Sequence, residues 1–355
     1  MQYKVLFKRC LLAIVVMFVV TSLQAQREMK TINDNWEFRK SIDESWESVN
    51  LPHTFNIDAY QQRNYYQGKG FYRRTLVLPE IVAERRYYMK IDAASKAANI
   101  RVNGKEVGSH VGGYTACIVD ITEYIRKENL IEITVDNGRK DITPISADFT
   151  FWGGIYRDVW LISTPKQHFN MSNMGSDGIF ISTPVVNEKR GVLKVKCEVT
   201  NDSHESSILE VRSAIYSPQG KLLQTIKQKQ KLKSGETYIF ENTSGAIESP
   251  DLWSPETPSL YLVKTTLVDP KSGKLLDEKN HKVGFRWFTF DGSKGFFLNG
   301  KSYKLRGLNR HQDQAPAGVA LDDEAHRRDI FLMKEEQADN FACEYLLNES
   351  RLKFA

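Results

Sequence analysis

With 355 residues the chain has room for two or three domains, each large enough to bury its own core. Hydrophobic residues at 41% and charged residues at 26% describe an ordinary soluble globular protein. The formal net charge is +5, but three of those charges, Lys4, Lys8 and Arg9, lie in a 25-residue leader that holds no acids; the remaining excess is too small to argue for a nucleic-acid partner, and no basic stripe is interleaved with aromatics.

The leader comes first in chain order. Lys4, Lys8 and Arg9 precede an apolar run over 10–20, then Thr21-Ser22 and Leu23-Gln24-Ala25. A charged start, a short apolar core and a small-residue exit predict a secretory signal peptide over 1–25, cleaved after Ala25. The run is shorter than the ~20 residues of a spanning helix, so no membrane association is expected after cleavage. Cys10 stands before the apolar core, badly placed for lipid attachment. The mature chain is expected to be exported, to the periplasm or beyond the cell. Three cysteines remain, Cys117, Cys197 and Cys343, widely spaced and odd in number. They argue against a disulfide framework or a structural zinc site and read as small buried hydrophobes.

Residues 26–166 form the first predicted domain. Short β-rich runs at 71–78, 86–91, 98–102 and 130–135 alternate apolar with polar residues, as half-buried strands do. Asn103-Gly104 suits a type I′ hairpin turn. The run Val102-Asn103-Gly104-Lys105-Glu106-Val107-Gly108 is followed by His110-Val111-Gly112-Gly113-Tyr114 and Asp120-Ile121-Thr122. Its glycines permit tight turns and Asp120 can bond local backbone, so it reads as scaffold. Asp148 is different. It precedes Phe149, Phe151 and Trp152, and a carboxylate beside aromatic faces is what a sugar subsite uses. An aspartate that caps a turn is the competing reading.

Residues 167–283 read as a second sandwich. Its strand-like runs at 193–200, 209–216 and 261–268 are separated by turn residues at 217–220 and 269–273, and regular short strands of this kind suggest an immunoglobulin-like fold. The lysines between Lys221 and Lys233 read as a solvated face. In 284–355, Asn299-Gly300 marks another type I′ turn, and the strand after it ends in Asn309-Arg310-His311-Gln312-Asp313. Polar side chains gathered at a strand end suggest a site, because there a barrel strand hands over to its loop. Acids crowd the start of 322–334, which predicts a helix.

These segments resemble glycoside hydrolase family 2, the β-galactosidase, β-glucuronidase and β-mannosidase group. Gly284-Phe285-Arg286, the hairpin at 296–300 and the run from Leu305 to His311 are similar to that family's entry to its catalytic barrel. Gly153-Gly154-Ile155-Tyr156-Arg157-Asp158-Val159 and Leu252-Trp253-Ser254-Pro255-Glu256 match its upstream hallmarks. The resemblance runs from about Asn33 to Lys334 and fades after that. It implies a mainly β architecture: a jelly-roll sugar-binding domain, an immunoglobulin-like β-sandwich and the first βα unit of a truncated (β/α)8 barrel.

The function it implies is that of a secreted β-galactosidase-type enzyme, with a β-glucuronidase or β-mannosidase relative as alternative and a β-linked carbohydrate as substrate. Asp148 and His311 are the implied sugar contacts, with Asn309 and Arg306 as further candidates. Retaining enzymes of this kind need two glutamates about 5–5.5 Å apart, carried on later barrel strands. No catalytic residue and no metal ligand is therefore assigned in this chain. Asn348-Glu349-Ser350 matches the acid/base pair only in letters, since it stands too few residues beyond His311. No cofactor is expected here, and Mg2+ is expected for a complete β-galactosidase relative. Two non-catalytic readings remain: a carbohydrate-binding module, and a partner for a separately encoded barrel segment.

Overall fold

The computed structural model describes residues 26–305, 307–335 and 340–343, the last four and residues 308 and 309 as backbone. Residues 1–25, where the sequence predicts a signal peptide, Arg306 and the Asn348-Glu349 pair lie outside the described residues. Backbone contacts divide the described residues into two compact units, one of 26–28 with 163–303 and one of 29–162 with those from 304 onward.

The second of these contains the jelly roll. Its strands are β1 (Glu28–Thr31), β2 (Trp36–Arg39), β3 (Glu47–Val49), β4 (Lys69–Val77), β5 (Arg85–Ile91), β6 (Ala97–Val102), β7 (Lys105–Val111), β8 (Cys117–Asp120), β9 (Glu128–Asp136) and β10 (Val159–Pro165). They form one sheet in the order β3-β2-β4-β9-β6-β7 and another in the order β1-β10-β5-β8. Alternation explains which faces meet. β5 buries Arg85, Tyr87, Met89 and Ile91, and β9 buries Asn129, Ile131, Ile133 and Val135. With Trp36, Phe38, Tyr72 and Ile100 they make one core, each large apolar side chain contributing about 1.5–3 kcal/mol. The β6–β7 turn takes the expected form, with Asn103 at φ +52° and Gly104 at φ +76°. Asp120 accepts the Thr122 backbone N–H at 2.9 Å, the local bond its position suggested.

The immunoglobulin-like unit follows: β11 (Gln167–Phe169), β12 (Ile179–Val186), β13 (Arg190–Asn201), β14 (Ser207–Tyr216), β15 (Leu222–Leu232), β16 (Glu236–Thr243), β17 (Ile247–Glu248), β18 (Tyr261–Val268) and β19 (Leu275–Val283). The twelve-residue β13 is the central strand of one sheet, pairing with β11 and β12 and with β16 and β17. The other sheet runs β15-β14-β18-β19. The hairpin β20 (Phe288–Asp291), β21 (Gly295–Leu298) and β22 (Lys301–Ser302) belongs to this unit, where the Asn299 side chain donates to the Trp253 carbonyl at 3.0 Å. Asn299 and Gly300 take φ +51° and +77°, again as the dipeptide predicts.

Within the jelly-roll unit, β23 (Gly307–Arg310), helix α1 (Asp323–Glu335) and β24 (Asn340–Cys343) form one βα unit, with β23 and β24 pairing in parallel. The helix begins where its acids predict. Asp322 accepts the Ala325 N–H at 2.8 Å and so satisfies one of the amides left free at a helix start.

Candidate functional site

The segment 149–154 carries the aromatic residues of the candidate site, and two buried asparagines fix its path. Asn56 donates to the Phe151 carbonyl at 2.9 Å and accepts the Gly153 N–H at 2.8 Å. Asn137 donates to the same Phe151 carbonyl at 2.8 Å. The Tyr65 hydroxyl accepts the Phe151 N–H at 2.8 Å. Gly154 stands at φ +138° with the His53 carbonyl 2.2 Å from where a Cβ would lie, so the backbones approach too closely for any side chain. These bonds turn a short irregular stretch into a rigid platform.

The end of β23 lies against that platform. The Trp152 indole N–H donates to the Asp313 carboxylate at 3.1 Å. Tyr60 packs on Trp152 with ring centroids 5.2 Å apart, and burial together with the Asp313 charge pushes its phenol pKa upward. Trp152, Tyr156, Ala93 and Val319 form a small apolar cluster beneath. The turn after β23 closes through Gln314 N–H to the Gly318 carbonyl at 3.0 Å. Behind it, Arg310 is buried and pairs with Asp329 of α1, whose other oxygen accepts from Gln314 at 2.9 Å. The strand end is thus held both to the jelly-roll segment and to its own helix.

Phe149, Thr150, Trp152, His311, Gln312, Asp313 and Val319 surround a cleft of about 10 Å3. That is room for about one water, far too little for a pyranose. The described residues therefore enclose no sugar-sized cavity at this cleft. Gln312 is 3% exposed, and its Oε1 has no hydrogen-bond partner among the described residues.

His311 stands exposed at the cleft, and Asp148 is exposed immediately before Phe149. The fold brings these two segments together. Asn309 is described only as backbone, opposite Ala342 in the parallel pair, and Arg306 lies outside the described residues. Two of the aromatic faces offered by the sequence are occupied by packing: Phe151 and Trp152 are 9% and 8% exposed, Phe151 against Phe149 and Lys96 and Trp152 against Tyr60 and Val319. Phe149 remains partly exposed. Sequence reasoning missed Tyr60 and Asn56, which lie some 90 residues before their partners, and Asn137, which lies 14 residues before Phe151. It also passed over Gln312 and Asp313, although both stand in the strand-end cluster. Among the described residues no three His, Cys, Asp or Glu side chains converge on a metal position.

Three models of one family match the chain in order: "Glycosyl hydrolases family 2, sugar binding domain" over 13–165, "Glycosyl hydrolases family 2" over 177–286, and its "TIM barrel domain" over 291–351. The crystal structure of a Bacteroides uniformis β-glucuronidase is 51% identical, superposes with a TM-score of 0.89, and is matched over 92% of this chain and 41% of its own. A Bacteroides fragilis β-glucuronidase is 34% identical over 88% of this chain and 46% of its own length. A Thermoanaerobacter pseudethanolicus β-galactosidase is 31% identical over 87% and 41%. The chain spans less than half the length of each of these relatives. A jelly roll, an immunoglobulin-like unit and the opening βα unit of a barrel, in the order of those three matches, place the chain in glycoside hydrolase family 2.

Proposed function

We propose that the chain is the amino-terminal part of an exported enzyme that releases a terminal β-linked sugar, and that this sugar is glucuronic acid. The Trp152–Asp313 bond carries the reading at the site. It holds the end of the first barrel strand against the segment that follows Asp148, which supports reading Asp148 and His311 as contacts of one sugar pocket. In this role Asp148 accepts sugar hydroxyls, and His311 bonds them from the strand end. Asn309, on the same strand, and Arg306, which precedes it in the sequence, are further candidates. The choice of sugar rests on the relatives, since the Bacteroides uniformis and Bacteroides fragilis proteins are both β-glucuronidases. The β-galactosidase reading is kept as the second, supported by the Thermoanaerobacter relative.

Hydrolysis requires two carboxylates that no described residue provides, so they are assigned to barrel strands beyond α1. The Mg2+ implied for β-galactosidase relatives is assigned to that part too. Two preparations test the proposal: the chain alone, and the chain produced together with its downstream reading frame. The chain alone should turn over neither aryl β-glucuronide nor aryl β-galactoside above a mock purification. The extended protein should prefer the glucuronide by about tenfold or more in kcat/KM. Turnover by the chain alone would refute the division of labour, and preference for the galactoside would return the sugar to the second reading.

A further inference from the structure

We propose that Lys96 is a positioning residue for the sugar site: its ammonium clamps both ends of the segment that presents Asp148. The proposal rests on the reading of Asp148 as a sugar contact. Lys96 directly precedes β6, and its backbone is fixed on both sides, donating to the Asp136 carbonyl at 3.0 Å and accepting from Gly112 at 3.0 Å. The residue is 8% exposed. Its Nζ donates to the carbonyls of Pro144 at 2.7 Å, Ile142 at 3.2 Å and Arg139 at 3.3 Å, using all three donors of an ammonium. It also lies 4.8 Å from the centre of the Phe151 ring, a cation–π distance.

Pro144 and Phe151 bracket Asp148. Between them, residues 145–148 are all exposed and belong to no strand. Loops of this kind hold a shape only where side chains tie them down. Asn137 holds the Phe151 carbonyl, and Lys96 is the group that reaches both Pro144 and Phe151. A buried lysine commonly pairs with a carboxylate. This one is spent on backbone carbonyls of a single loop, while Asp136 and Asp141 act on it only at longer range. The arrangement costs a desolvated cation, and what it secures is the path of 139–150.

Hydrogen exchange on the whole chain tests the clamp. In Lys96→Met, amides of 139–150 should exchange about tenfold faster while those of β4, β5 and β9 keep their rates. Lys96→Gln retains a donor without the charge and should fall between the two, so the comparison survives poor folding of the methionine variant. The link to function is read in the protein extended through its barrel. There Lys96→Met should raise KM for the glycoside about tenfold with a smaller change in kcat, and adding Asp148→Asn should cost far less than the two effects summed. Unchanged exchange over 139–150 overturns the clamp. A loosened loop with unchanged KM overturns the link to the site. If Asp148→Asn alone leaves KM unchanged, the reading of Asp148 fails, and the assignment of Lys96 to the sugar site fails with it.

Discussion

His53 is a partly buried imidazole whose ring lies 4.8 Å from that of Phe38 and whose Nδ1 stands 2.9 Å from the Tyr72 hydroxyl. Burial, aided by the charge of Lys40, lowers its pKa to about 4. In the unfolded chain the same group titrates near its ordinary value of about 6.5. Between these values the unfolded state binds the extra proton, so stability is present above pH 6.5 and is lost as the pH falls toward 4. The loss from this group is on the order of 3 kcal/mol. Urea midpoints at pH 7 and pH 4.5 should differ by less in His53→Gln than in the wild type. Equal pH dependence in the two proteins would remove His53 as the source.

Arg27 makes a second case at this scale. It pairs with Asp277 at 2.7 Å, both side chains are almost wholly buried, and the same guanidinium donates to the Phe169 carbonyl at 2.8 Å. Asp277 also accepts the Phe169 N–H at 3.0 Å, so the pair stitches Arg27 to β11 and β19. Arg27→Ala leaves a buried carboxylate uncompensated and should cost about 3–5 kcal/mol, visible as a lower denaturation midpoint. Replacing both residues with apolar ones should recover part of that loss. Neither pairing was legible beforehand, because Arg27 and Asp277 are 250 residues apart and nothing in the local sequence of either names the other. Turn chemistry was legible for the opposite reason. Asn103-Gly104 and Asn299-Gly300 carry their conformational preference within two residues.

Strands show the same division at the scale of elements. β5, β9 and β18 were visible in the sequence because one face of each is buried and the other is not, which writes a period of two into the chain. β15 was seen only as a lysine-rich solvated face. It is the edge of its sheet, and Lys227, Lys229 and Lys231 alternate along its exposed side. Charges in that position oppose pairing with another chain, so the lysines that hid the strand from a hydrophobic pattern are part of how an edge is protected. Helix α1 was legible from its acidic first turn. Its apolar residues are less settled: Phe331 and Leu332 are 66% and 51% exposed, although Arg310 and Gln314 anchor Asp329 of the same helix. Limited trypsin digestion should therefore cut first at Arg327, Arg328 or Lys334, leaving the two sandwiches intact. Cleavage that begins within the strands of either unit would contradict this.

For the molecule as a whole, the order of parts could be read because turn dipeptides, strand periods and family motifs are all local. The site could be read only by halves. Asp148 and His311 were named from their own neighbourhoods, but the contact that joins those neighbourhoods, Trp152 to Asp313, spans 161 residues. That bond has an optical consequence. An indole whose nitrogen is tied to a carboxylate, on the wall of a cleft, emits at a wavelength set by the charge and water beside it. Trp152 is one of six tryptophans in the chain, so the difference in emission between the wild type and Trp152→Phe isolates its signal. The protein thus carries its own fluorescent gauge of the charge and water at this cleft, and no dye has to be attached.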